Sequence, residues 1–197
     1  MTDILQERAE QYVSGAMTPL EREAFEVLIE FDAGLRAQVA ALQEVASGLA
    51  LVQAGPLLAP PTALKSRLLA ALDALPATAQ APEAMVVASR DGVVEWVNPA
   101  FTAMCGYELA ELRGRKPGEL LQGPATEAAA IQRIRVSMRA RQACRETLTN
   151  YHKDGTCYRA EVRILPVLDE AGAPLWYVAR ERKLSPGETV LAGAAQP

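Results

Sequence analysis

The sequence predicts an α+β chain, helices first and an antiparallel sheet after. Three observations carry this. Residues 1–73 place apolar residues at helical spacing, with cap signals between the runs. Residues 74–83 (ALPATAQAPE) are rich in Pro and Ala and lack periodicity. Beyond them the pattern changes to short period-two runs separated by tight-turn residues.

The helical part reads as four elements. Residues 3–13 form the first, ending at Gly15. Thr18-Pro19-Leu20-Glu21 opens the second: Thr at the cap, Pro in the first turn, and Glu three residues on to close a capping box. Leu20, Phe25, Leu28, Ile29 and Phe31 form its stripe. Asp32-Ala33-Gly34 predicts a short break. Residues 35–51 form a third helix with Val39, Leu42, Val45, Leu49 and Val52 along one side. Residues 62–75 form a fourth, carrying Leu64, Leu68, Leu69 and Leu72, after a stiff Pro56 to Pro61 connector. Short loops between four such helices give a small bundle.

The second part opens with strands at 85–88 and 93–97 around Asp91-Gly92. Its most informative stretch is 143–167. Lys153-Asp154-Gly155 is a turn, because Asp caps a corner and Gly tolerates positive φ. Tyr158, Ala160, Val162 and Ile164 alternate with Arg159, Glu161 and Arg163, the pattern of a half-buried strand. Pro166, with no N–H for the ladder, is expected to end the pairing. A turn at 169–172 leads to a last strand at 175–179. An apolar face on three such strands needs a cover, and the preceding residues supply it.

Composition narrows the functional classes. The chain has 197 residues, half of them apolar, enough for one large or two small domains. Residues 1–73 carry ten acids against five bases, which suits a basic protein surface better than a nucleic acid. Arg133, Arg135, Arg139 and Arg141 spread around a helix without interleaved aromatics, so they too read as a solvated face. Cys105, Cys144 and Cys157 are odd in number and lack metal spacing. With Met1-Thr2-Asp3-Ile4 running straight into charged residues, the expectation is a reducing cytoplasm. The apolar stretch 45–61 is interrupted by Gly and Pro, whereas a membrane span needs roughly 20 clean apolar residues. No Ser/His/Asp set, phosphate-cradling loop or metal cluster is present in the sequence, so the expected output is binding rather than catalysis.

Glu10 to Glu26 (EQYVSGAMTPLEREAFE), together with Ala59-Pro60-Pro61-Thr62-Ala63-Leu64, resembles the N-terminal domain of anti-sigma factors that bind extracytoplasmic-function sigma factors. The resemblance implies a helical clamp on a sigma factor. Many members carry a His-x3-Cys-x2-Cys zinc site, and the matching positions here are Leu28, Asp32 and Leu35. The resemblance therefore points to a zinc-free version. A generic dimerisation or linker bundle remains the alternative.

From residue 84 the succession Asp91-Gly92, Val97-Asn98-Pro99-Ala100-Phe101, Gly106-Tyr107, Asn150-Tyr151, Lys153-Asp154-Gly155 and Asp169-Glu170 is similar to a PAS domain over 84–183. That implies a five-stranded antiparallel sheet with helices on one face and a pocket between. The domain division is then 1–73 helical, 74–83 linker, 84–184 PAS, and a disordered tail over 185–197. Residues 114–124 look like the flavin-binding LOV subgroup, but no cysteine stands there. Pro117 and Gly118 cannot form a flavin adduct.

The same resemblance makes Gln122, Arg135 and Asn150 flavin contacts, to its polar tail, its phosphate and the polar edge of its ring. Ala160 replaces a second edge-reading asparagine and Glu181 replaces a glutamine. FMN or FAD is thus the candidate cofactor. The alternative is that these residues only hold the fold. His152 shares the inward parity but lies at a strand end, so no haem is expected. If Glu181 and Ala179 face the pocket, Trp176 and Val178 face outward, as contact residues for a dimer or for the helical domain. Either the sheet or the helices would then pair two copies. The combined expectation is a cytoplasmic, signal-responsive transcription regulator, with a flavin redox or light sensor and a ligand-free PAS interaction module as alternatives.

Overall fold

The computed structural model describes residues 2–53 and 83–185. The expected fourth helix, nearly all of the linker and all but the first residue of the tail lie outside the described residues. Three helices come first: α1 (Thr2–Ser14), α2 (Pro19–Phe31) and α3 (Ala33–Gln53). Next are β1 (Ala84–Ser89), β2 (Val94–Val97), α4 (Pro99–Cys105), α5 (Leu109–Leu112), α6 (Pro117–Leu121) and α7 (Ala128–Arg139). The chain then forms β3 (Cys144–Tyr151), β4 (Cys157–Leu168) and β5 (Pro174–Lys183). The α+β expectation is met. No helix among the described residues is long and apolar enough to cross a membrane.

The α2 start is built as its residues dictate. Thr18 Oγ1 accepts from the Glu21 N–H at 3.3 Å, and the Glu21 carboxylate accepts from the Thr18 N–H at 2.9 Å. The break before α3 is shorter than the expected three residues. Asp32 alone makes it: its N–H donates to the Leu28 carbonyl, ending α2, while its Oδ1 accepts from Gly34 and Leu35. One side chain both stops a helix and caps the next.

The five strands lie in the order β2-β1-β5-β4-β3, every pair antiparallel. Asp154 closes the β3–β4 turn by accepting from the N–H and hydroxyl of Thr156, and Gly155 adopts φ 87°. Tyr158, Ala160 and Val162 are buried with Ala130 of α7 and Leu148, as the alternation requires. Two expectations are corrected. Pro166 does not end the pairing: β4 continues to Leu168 with Pro166 opposite Tyr177. The last β3 partner is Ile164, so one edge of β4 has no strand beside it at Pro166, and a missing N–H is tolerated there. Glu161, expected on the solvated face, is 4% exposed because Arg145 and Arg182 enclose it.

The sheet is covered on both faces. Helices α4 to α7 lie on the inner face. On the outer face a single cluster joins Ala24, Phe25, Val27 and Leu28 of α2 to Val87, Leu165, Val167, Trp176 and Val178. Trp176 and Val178 point outward and are buried there under the N-terminal helices.

Candidate functional site

Between the inner sheet face and helices α6 and α7 is a pocket of about 580 Å³. Its walls are apolar: Val86, Leu121, Ile134, Leu148, Val162 and Ile164 are among the lining residues. Every wall position on a strand has the inward parity set by the pleat. Gln122 enters from the residue that ends α6, Asn150 from β3 and Glu181 from β5. Arg135 and Arg139 from α7 and Lys116 from the α6 start add cationic side chains, with Asp91 and Glu119 as the acids beside them. Arg135 is exposed, whereas Asn150 is 3% exposed and Glu181 5%.

Glu181 is the chemically distinctive group. Its Oε2 is buried with no hydrogen-bond partner among the described residues. Burial, with no opposing charge, pushes its carboxyl up to about 7. In its protonated form such a carboxyl is a hydrogen-bond donor as well as an acceptor. Tyr158 stands nearby. Burial first, then the Glu181 and Cys105 charges, push its phenol well up, with Asn150 acting the other way. Its hydroxyl also completes no aligned bond.

Of the residues singled out in the sequence, Gln122, Arg135, Asn150 and Glu181 come together in this pocket. Ala160 does not line it. It is fully buried against Leu148, Tyr158 and Val162. Gln122 lies against Gly118, where a Cβ would sit 2.8 Å from the amide nitrogen, so the missing side chain makes room for it. Pro117 and Gly118 line the pocket where the LOV resemblance expects a thiol. Cys105 is buried elsewhere, its thiol facing the Tyr107 backbone and its pKa raised by burial. His152 stacks on Tyr158 at 4.2 Å, with Lys183 Nζ 3.3 Å from its Nε2, away from the pocket wall.

The helix carrying Arg133, Arg135 and Arg139 is not simply solvated. Arg133 makes a two-pronged pair with the buried Glu146, while Arg135 and Arg139 flank the pocket. Sequence reasoning missed Lys116 and Tyr177 in the lining, and it missed the ion clusters on the outer sheet face. The charges of Arg180, Glu181 and Arg182 within one strand were the available signal, since successive side chains of a strand go to opposite faces and this sheet is covered on both.

Residues 82–179 match the family model described as PAS domain. The nitrogen fixation regulatory protein of Klebsiella pneumoniae is 32% identical over 111 residues, 56% of this chain. The match spans only 22% of that protein's length. A voltage-gated inwardly rectifying potassium channel of Sus scrofa is 30% identical over 86 residues, 43% of this chain and 8% of the channel. Among solved structures, the light state of the blue-light photoreceptor Aureochrome1 LOV superimposes with TM-score 0.51 at 27% identity, over 54% of this chain and 84% of that one. The LOV domain of a blue-light activated histidine kinase from Erythrobacter litoralis gives 0.50 at 25% identity, over 52% and 96%.

Proposed function

With residues 82–179 forming a PAS domain as the premise, we propose that this chain is a signal-responsive regulator whose PAS pocket governs what its N-terminal helices bind. The observation that carries the reading is the shared sheet. Strand β5 lines the pocket with Tyr177, Ala179 and Glu181 and supports the helices with Trp176, Val178 and Arg180. A ligand that prefers one arrangement of β5 shifts the population of helix arrangements by its differential affinity. The partner of the helices, on the anti-sigma resemblance of residues 10–26, is an extracytoplasmic-function sigma factor. The excess of acids over bases in the sequence of residues 1–73 suits such a basic partner, and the output is binding rather than catalysis. Co-purification of the full-length chain with each such sigma factor of the host tests it. One retained at a defined stoichiometry supports the reading, and none retained, with or without pocket ligand, overturns it.

A flavin is the pocket ligand that the lining favours. Gln122, Asn150 and the protonated form of Glu181 offer hydrogen bonds to a heterocycle edge, the apolar walls suit a flat ring, and Arg135, Arg139 and Lys116 suit an anionic tail. Bound flavin would supply light absorption and reversible electron uptake. Glu181 would hold its proton toward the ring, Gln122 and Asn150 would orient it, and Pro117 and Gly118 would form no thiol adduct.

A further inference from the structure

Among the charged residues that line the pocket, Glu181 alone is buried. Asp91, Lys116, Glu119, Arg135 and Arg139 are all exposed. Glu181 stands in the sheet between two apolar residues, Ala84 of β1 and Val162 of β4. Its Oε2 has no hydrogen-bond partner among the described residues. A buried carboxylate is tolerated when a cation or several N–H donors stand beside it.

The elements packed around Glu181 supply neither. Strand β1 carries no charged residue. Tyr158 on β4 and Cys105 on α4 feel the Glu181 charge, but each becomes negative when it ionises, and burial pushes both up. Asn150 on β3 and Gln122 at the end of α6 are neutral. Glu146, on β3 beyond Val162, is already held by Arg133 of α7. Arg135 of the same helix is exposed. On β5 itself, Arg180 pairs with Glu23, Glu26 and Glu83, and Arg182 with Glu161. Lys183 is exposed at the strand end, 3.3 Å from His152, whose ring stacks on Tyr158.

A protonated carboxyl can donate to an acceptor, whereas a carboxylate offers only lone pairs and opposes one. We propose that the pocket takes its ligand together with a proton: protonated Glu181 donates to the acceptor edge of a neutral heterocycle, and loss of that proton turns the ligand away. Occupancy then follows pH as well as ligand concentration, so the pocket responds to acidification. The choice of heterocycle rests on the proposed flavin reading. The proton on Glu181 does not.

Riboflavin is the probe, because it is uncharged and lacks the phosphate that the arginines at the pocket would attract. Its fluorescence is titrated with the full-length chain and with Glu181→Gln at about pH 5.5 and about pH 8.5, on either side of a carboxyl pushed up to about 7. At the upper pH only about 3% of wild-type chains hold the proton, so the apparent Kd rises roughly thirtyfold. The amide of Glu181→Gln donates at both pH values, and its Kd changes by less than about twofold. Equal wild-type affinity at the two pH values, or the same loss in Glu181→Gln, overturns the proposal. If riboflavin binds wild type at neither pH, the flavin reading alone falls. In that case, or if Glu181→Gln neither folds nor binds, NMR of the Glu181 carboxyl carbon in the isotope-labelled wild-type chain decides. Titration near neutrality upholds the proton site, and titration below about pH 5.5 overturns it.

Discussion

Arg180 and Glu181 are neighbours on β5, yet their side chains serve opposite faces of the sheet. Arg180 holds α2 on the outer face through Glu23 and Glu26, and Glu181 lines the pocket on the inner face with one oxygen unbonded. A shift of one peptide unit in β5 therefore reaches both sides at once.

Glu181 should make stability fall with pH. Its carboxyl titrates near 7 in the folded chain and at the ordinary carboxylate value of 4.5 when unfolded. Below 4.5 both states are protonated. Between 4.5 and about 7 only the unfolded state releases its proton, so folding loses stability across that window and no more above it. The loss is on the order of 3 kcal/mol. Glu181→Gln removes the slope. Urea unfolding of both chains at either end of the window checks this.

Arg135 should matter for anionic ligands and not for the fold. Its side chain is exposed at the pocket, so Arg135→Ala leaves the unfolding midpoint unchanged. Loss of one charge-assisted contact weakens binding of a flavin nucleotide by roughly tenfold, about 1.4 kcal/mol. Fluorescence titration with FMN and with riboflavin measures it. Riboflavin, lacking the phosphate, should bind both chains alike.

Thr18→Ala removes the side-chain half of the α2 capping box: the Glu21 N–H loses the Thr18 Oγ1 it donates to, while the backbone N–H of residue 18 still donates to the Glu21 carboxylate. The Glu21 carboxyl, held below its ordinary value chiefly by that N–H, stays low and loses only the smaller contribution of the Thr18 hydroxyl. The cost is about 1 kcal/mol. A denaturant midpoint lowered without a change in slope is the expected reading.

Gly123→Ala puts a Cβ 2.5 Å from the Tyr151 ring. Tyr151 then has to move, and the Ala125 N–H loses the hydroxyl it donates to. Overpacking of this kind costs about 1–3 kcal/mol. The melting temperature should fall, and the residue after Gln122 should disturb the pocket wall as well.

The elements were legible because their causes are local. Thr18 and Glu21 announce the α2 start within four residues, Asp154-Gly155 announces the β3–β4 turn, and period two over 158–164 announces which side chains face inward. Grouping of the site was legible only in part. Gln122, Asn150 and Glu181 could be named from a family pattern. Their meeting depends on strand order and on α6 packing against the sheet.

The sequence by itself determined the α+β class, the caps and turns, and the inner and outer parity of each strand. Steric limits and side-chain periodicity act between near neighbours, and a short window contains them. Tertiary structure alone decided that α2 covers Trp176 and Val178, that Arg163 and Arg180 need acids from α2 and Glu83, and that Glu161 is buried between Arg145 and Arg182. Those outcomes depend on which charges lose water when distant segments pack, and desolvation is a property of the assembled fold.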